Sequence, residues 1–400
     1  MSDDALSHAP AARLGGYSIA ELALAVGSFG IGTGEFAIMG LLPQVADTFG
    51  VSVPDAGVVI SAYAIGVVVG APLIAVMAAR YSRRSVLLVL MTLFALGNLA
   101  SAIAGSFGLL VIARFLAGLP HGAYFGVAAL VAAGMAPPNQ QARAIGRVMM
   151  GLTVATLLGT PLAAWFGQAL GWRAAFGIVG GIALLTVLLV SIHVPKDKAN
   201  PAATPLKELG ALARIQVWLT LGICAIGCGG MFAVFTYITP ALTESAGVPL
   251  SSVPMMLSVF GAGMIAGNIV GSRLADWALM PAIGIALVFN LAAFLLFAST
   301  MSSPWLAVIN VFLIGGGFTV VPGIQMRLIN VAGEAQTLAA ALSHSAFNIA
   351  NAIGAWLGGV SIAAGYGWTS TGLVGAIMGV AGIAIFLTSA MLDRKTAKVA

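Results

Sequence analysis

One carboxylate stands inside an otherwise uncharged apolar run: Glu35, in the stretch IGTGEFAIMGLLP over residues 31–43. A carboxylate at the centre of a membrane helix costs roughly 3 kcal/mol on insertion scales, so such groups face protein or water and mark ion and proton pathways. A carboxyl in that setting can take a proton from one side and release it to the other, which is the simplest device for proton coupling. Arg114 is the second such group, several residues into another apolar run with no charged neighbour in sequence. It reads either as a coupling partner of Glu35 or as an arginine bonded to carbonyl oxygens.

Softer candidates surround these two. His121 and His344 fall in separate apolar runs; a lone membrane histidine is more often a hydrogen-bonded packing residue, with substrate contact as the alternative. Asn348 and Asn351, three apart, share one helix face, with Phe347 beside them, and read as substrate contacts or as interhelical hydrogen bonds. Tyr63, Tyr124, Phe232 and Phe235 are candidates to line a cavity for a mostly uncharged organic molecule, although aromatic residues at helical spacing also serve as packing. Cys224 and Cys228 lie one turn apart in one apolar run and suit neither a disulfide framework nor a zinc site. The sequence contains no GxxxxGK[ST] phosphate loop, metal cluster or catalytic triad. An enzyme is therefore not expected, no cofactor is implied, and energy must come from an ion gradient or the substrate's own gradient, unless a partner hydrolyses nucleotide.

The elements that must carry these residues follow from composition. Of 400 residues, 60% are hydrophobic and 7% charged, against about 25% charged in soluble domains. Apolar runs reach the ~20 residues that cross a bilayer as helix, and strand-like alternation is missing, which argues against an outer-membrane barrel. Twelve segments are expected, over about 18–41, 56–78, 85–104, 108–133, 144–168, 174–194, 215–240, 253–275, 281–300, 304–326, 337–363 and 370–391. The chain thus reads as an all-α membrane protein.

The net charge of +5 could suggest a nucleic-acid partner, but the basic residues sit in short loops between apolar runs, where they set topology. All of the 17 Lys and Arg except Arg114 and Arg173 fall on one predicted side, so both termini are expected in the cytoplasm of a bacterial inner-membrane protein. The first sixteen residues lack a signal-peptide pattern. The longest polar interval, 195–214, reads as a linker between a bundle over 1–194 and a second over 215–400. The halves resemble each other. Gly66 and Gly70 recur 197 residues on as Gly263 and Gly267, and Phe115, Leu116 and Gly118 recur as Phe312, Leu313 and Gly315. Gly171-Trp172 matches Gly367-Trp368 at an offset of 196. Duplicated halves of this kind are a signature of secondary transporters, with the substrate site between them near the midplane.

On these residues the chain resembles the major facilitator superfamily across essentially its whole length. AVMAARYSRR over 75–84 is similar to that family's gate motif, with Ala75 and Ala79 where Gly and Asp are usual and Ser82 where a second Gly is usual. Its second copy, GSRLAD over 271–276, keeps the acidic residue. The resemblance implies gating roles for Arg80, Arg83, Arg84 and Asp276, with Asp276 carrying more of the lock. Arg114 to Gly118 (RFLAG) resembles the fourth-helix motif whose arginine is associated with proton transfer. Gly151 through Gly159-Thr160-Pro161 resembles the fifth-helix antiporter motif, with Ala163 and Ala164 in place of glycines.

TGEFAIMGLLP, PHGAYFG and LGWRAAF look like the drug:proton antiporter-1 family, in the branch of arabinose and sugar efflux permeases and chloramphenicol-resistance exporters. That resemblance implies the twelve-helix fold of two pseudo-symmetric six-helix bundles, and export of a small organic solute in exchange for protons by a monomer in the lipid bilayer. An importer or facilitator of the same fold, and a receptor that binds without turnover, are the competing readings.

Overall fold

In hydrocarbon a backbone amide has no water to bond, so an apolar run of spanning length must satisfy its N–H and C=O groups within its own helix. In the computed structural model, which describes residues 13–14, 17–51, 56–78, 80–197, 209–249, 252–333 and 335–399, twelve helices long and apolar enough to cross a membrane follow one another. They are α1 (Ile19–Phe36), α2 (Val58–Ala78), α3 (Arg83–Ala102), α4 (Phe107–Met135), α5 (Pro138–Gly167), α6 (Trp172–His193), α7 (Ile215–Thr236), α8 (Met255–Trp277), α9 (Leu279–Thr300), α10 (Pro304–Val331), α11 (Gln336–Tyr366) and α12 (Ser370–Arg394). These are the twelve expected segments, in two sets of six. Of the expected linker, residues 198–208 lie outside the described residues, as do Asp55 and Ala79.

Local chemistry sets the ends. Ser18 caps α1 by accepting from the amide of Glu21, whose carboxylate accepts from the amide of Ser18, a reciprocal capping box. Ser82 and Ser106 cap α3 and α4 by accepting from the amides of Ser85 and Leu109. The first expected segment is broken: after Phe36 the chain tightens into a 3-10 turn over Ala37–Gly40 and restarts as a short helix over Leu42–Phe49. Pro43 lies in the first turn of that restart, where its missing N–H costs nothing but through which a continuous ladder could not pass. In α5 the helix widens into a π-helical turn over Ala155–Gly159, just before Pro161, the bend that a helical proline imposes on the residues four positions back.

Packing follows the duplication. Large apolar side chains such as Ile65, Leu73, Leu93, Leu188 and Ile377 point outward, as a lipid-facing surface requires, so helix association must come from close backbone approach. A Cβ added to Gly66 would lie 2.3 Å from the carbonyl oxygen of Phe115, and one added to Gly263 would lie 2.1 Å from that of Phe312. Reciprocally, a Cβ added to Gly118 would lie 2.2 Å from the Tyr63 carbonyl oxygen, and one added to Gly315 would lie 2.1 Å from that of Phe260. All four contacts map onto each other at the same offset, so the α2–α4 and α8–α10 crossings are one piece of geometry used twice.

The tryptophan match is physical as well. Trp172 donates its indole N–H to Thr48 Oγ1 at 3.0 Å, and Trp368 donates to Glu244 at 2.7 Å. Thr48 and Glu244 are themselves 196 residues apart. Each bond ties the start of a half's sixth helix to the segment that follows its first.

Gly66→Leu or Gly263→Leu should force these backbones apart and cost about 1–3 kcal/mol or more. Gly177→Leu, at a position where nothing lies within 4 Å, should be tolerated. Thermal melting of detergent-solubilised protein checks this: equal melting of the three variants would refute the close-packing account.

Candidate functional site

The two halves meet along a seam. At one rim Asp276, at the end of α8, accepts hydrogen bonds from the amides of Ala142 (2.8 Å) and Arg143 (3.2 Å) and pairs with Arg143 Nε at 2.5 Å. The carboxylate caps the start of α5 in the other half, where the free amides and the helix dipole favour an anion. Further along, Asn268 donates to the Gly146 carbonyl at 2.6 Å, and a Cβ on Gly261 would lie 2.9 Å from Leu157. The second side of the seam is α4 and α2 against α11. A Cβ on Gly126 would stand 2.6 Å from the Ala341 nitrogen, and Ser345 reaches the Val68 carbonyl at 3.5 Å. The hydrogen bonds seen to join the halves lie toward this rim, except that of Ser345 to Val68 at the middle of α2; the rim also carries Arg80, Arg83, Arg84 and Arg143 and is called the basic rim below.

Away from that rim sit Glu35 and Arg114. Glu35 occupies the last turn of α1, where the helix breaks, and is half-buried. Among the described residues no ion pair joins it to Arg114, but each lies within range of the other's charge. Arg114 is 0% exposed. Its Nη2 donates to the carbonyl of Gly34, adjacent to Glu35, at 2.9 Å. Its guanidinium carbon lies 4.3 Å from the centre of the Tyr63 ring and 5.1 Å from that of Phe176, within cation–π range. Arg114 Nε and Nη1 have no hydrogen-bond partner among the described residues. A buried guanidinium with two idle donors beside an unpaired carboxylate is a high-energy arrangement, because each missing bond leaves a desolvation cost uncompensated.

The other expected contacts separate into two groups. Tyr63, His121, Tyr124 and His344 are buried and in this conformation offer no surface to a solute. Tyr124 donates to the Leu24 carbonyl at 2.8 Å, between α4 and α1. Tyr63 Oη lies 3.0 Å from His121 Nδ1, and His344 stacks on Phe125 with ring centres 4.2 Å apart. Phe232, Phe235, Asn348 and Asn351 are half-buried. Phe235 stacks on Phe260 at 4.4 Å, and Asn348 donates to the His344 carbonyl at 3.0 Å. A depression of about 450 Å³ lined by Leu295, Ser299, Tyr366 and Leu373 lies between α9 and α12. It shares no residue with Glu35 or Arg114.

The basic cluster is local rather than seam-spanning. The amides of Arg83 and Arg84 donate to Asp197, at 2.7 and 3.1 Å, Arg84 also donates to the Ser191 carbonyl, and Arg80 bonds Tyr81 at 3.0 Å. These contacts tie the first half to the start of the linker and do not cross the seam. Sequence reading missed Arg143, the partner of Asp276, and the bidentate pair of Arg147 with Glu21, 2.7 and 2.9 Å, between α5 and α1. Both arginines were seen only as topology signals, although their spacing of four places them on one face of α5.

Comparison with known proteins agrees with this architecture. Residues 24–341 match the family model described as Major Facilitator Superfamily. The chain is 41% identical over 367 residues to the inner membrane transport protein YdhP of Escherichia coli (strain K12), covering 92% of this chain and 94% of that one. It is 34% identical over 336 residues to a chloramphenicol resistance protein of Streptomyces lividans, covering 83% and 86% respectively. Among solved structures, the transporter FucP in the outward conformation superposes with a TM-score of 0.74 at 17% identity, over 92% of this chain and 98% of that chain. At that identity the likeness speaks for the fold.

Replacing Asp276 by Asn should remove the anion from the start of α5 and weaken the rim by about 1–3 kcal/mol. Disulfide trapping between cysteines placed at Asn139 and Trp277 should slow measurably in Asp276→Asn; an unchanged trapping rate would remove Asp276 from the seam's energetics.

Proposed function

The chain belongs to the Major Facilitator Superfamily, and on that premise we propose that it exports a small organic solute, a chloramphenicol-like drug or a sugar, in exchange for protons. The observation that carries this reading is the unpaired, half-buried Glu35 beside a fully buried Arg114 with two unused donors. Loading a proton onto Glu35 cancels its charge, and unloading it restores an anion that Arg114 can bind. The two states therefore differ in an interaction that the described structure leaves unmade, and a ligand or proton shifts a conformational equilibrium only through such a difference.

In this reading the basic rim is cytoplasmic, as the distribution of lysine and arginine supports. The seam shut at that rim then corresponds to a state in which the solute site opens outward. Export proceeds as the halves rock, with α5 bending at its π-helical turn and the rim lock of Asp276 and Arg143 released. The transporter works as a monomer in the inner membrane. One proton moving down 100 mV releases about 2.3 kcal/mol, which sustains a gradient of somewhat under a hundredfold for an uncharged solute, at about 1.4 kcal/mol per tenfold. The family relative named for chloramphenicol resistance supports the solute class.

Glu35→Gln keeps the shape and removes the titration. In inverted vesicles it should lose proton-driven uptake of the solute to background while retaining solute–solute counterflow. Proton-driven transport at the wild-type rate would dismiss Glu35 as the carrier. A host stripped of its own pumps, challenged with chloramphenicol and with sugar analogues, should survive with wild type and not with the variant for whichever class is cargo.

A further inference from the structure

A run of contacts leads from the coupling residues to the seam. Arg114 lies over one face of the Tyr63 ring at 4.3 Å, the Tyr63 hydroxyl meets His121 Nδ1 at 3.0 Å, and the His121 ring lies 5.4 Å from that of His344 across the boundary between the halves. We propose that His121 of α4 and His344 of α11 form a proton-sensitive latch, which holds the basic rim shut while the pair carries at most one charge and releases it when both rings are protonated. Tyr63 is the positioning residue that sets the latch beside Arg114. The inference rests on the transport reading only in assuming that the rim opens.

The geometry makes the pair intolerant of two charges. His121 and His344 are 2% and 6% exposed, so little water reaches either ring. The backbones around them nearly touch: a Cβ on Gly122 would lie 3.3 Å from His344 Cβ, and one on Gly126 would lie 2.6 Å from the Ala341 nitrogen. Phe125 covers the flat face of His344.

The titratable and charged groups on the surrounding helices do not compensate. From α2 comes Tyr63 and from α4 itself Arg114, another cation. Glu35 of α1 lies toward Arg114, on the other side of Tyr63. On α5, Arg147 is engaged with Glu21 of α1, and Arg143 with Asp276 of α8. From α10, Gln325 bonds the Ala340 carbonyl and Ser343; from α7, Cys224 reaches the Ser343 carbonyl at 3.8 Å. Among the described residues no carboxylate bonds either imidazole. Two imidazolium ions at this separation would repel strongly in such a medium, and histidine is the side chain whose charge changes across ordinary working pH.

The Tyr63 contact survives either charge state. In a neutral His121 ring Nδ1 accepts the Tyr63 O–H; in the protonated ring it donates to the same oxygen, and the hydroxyl turns. Tyr63 thus fixes where the ring sits without fixing its proton. Opening the rim separates α4 from α11, admits water to both rings and lets them charge independently, so protonation and opening favour each other.

The test follows the rim directly and does not depend on transport. In the full chain with Cys224 and Cys228 replaced by serine, spin labels at Asn139→Cys and Trp277→Cys report the distance across the basic rim. Lowering pH from 8 to 5 in nanodiscs should raise the open-to-closed ratio on the order of a hundredfold. His344→Phe, which can still stack on Phe125, should respond to acid far less than wild type, as should His121→Gln, because a single buried ring has no second charge to repel. His344→Lys should be open already at pH 8.

A rim that ignores pH in the wild type, or one that opens with acid equally well in His344→Phe and His121→Gln, overturns the latch. The same titration in Glu35→Gln should keep its response. A failure of Glu35 as proton carrier would therefore leave the latch standing, and loss of the rim response with Glu35-dependent transport intact would reject the latch alone.

Discussion

Helices in a bilayer gain little by turning apolar side chains toward one another, because lipid is equally apolar; what holds them is contact close enough to exclude lipid altogether. In this protein that contact is glycine against backbone carbonyl. The α2–α4 crossing at Gly66, Gly70 and Gly118 and the α8–α10 crossing at Gly263, Gly267 and Gly315 set each half as a rigid unit. The same device, at Gly122 and Gly126 against Ala341, makes the joint between units. A joint built from small residues and a few hydrogen bonds can come apart without leaving a large unsatisfied surface. A joint of interlocking large side chains could not, since close-packed interiors do not deform gradually.

Buried polar groups are arranged around that joint according to whether they have partners. Asp276 is heavily used: two amides and a guanidinium converge on it from the opposite half. The sequence position that corresponds to it in the first half holds alanine, so the rim lock is one-sided, and Asp197, at the start of the linker, instead binds the amides of Arg83 and Arg84. Arg114 and Glu35 are the contrasting case. Their bonding capacity is not used up, and an interaction left unmade in one conformation is what a second conformation can supply.

The duplication explains why these features are distributed unevenly. Two copies with the same crossings give a scaffold in which corresponding positions have corresponding neighbours, as the Trp172–Thr48 and Trp368–Glu244 bonds show. Chemistry is then placed in one copy only. Glu35 and Arg114 are in the first half, and position 260, which answers to Tyr63, is phenylalanine and stacks on Phe235 rather than facing a cation. The second half contributes His344 and Asp276 to the seam, opposite His121 and Arg143 of the first.

The sequence by itself determined the number and nearly all the limits of the twelve spanning helices, the repeat and the family, and it singled out Glu35 and Arg114 as ionisable groups within apolar runs. Each of those is a local or one-dimensional property: an apolar run of spanning length, glycines at a fixed offset, an ionisable group where lipid forbids one. The π-helical turn before Pro161 is local in the same sense, because a missing amide acts four residues away and no farther. What the tertiary structure alone decided is who meets whom. His121 and His344 were two unrelated lone histidines in the sequence and become a pair 5.4 Å apart. Arg143 was a topology signal and becomes the partner of Asp276. Tyr63 and Tyr124, candidate cavity walls, are buried within helix contacts. These pairings join residues from 58 to 223 positions apart through the rotation of whole helices about one another, and no spacing along the chain encodes that rotation.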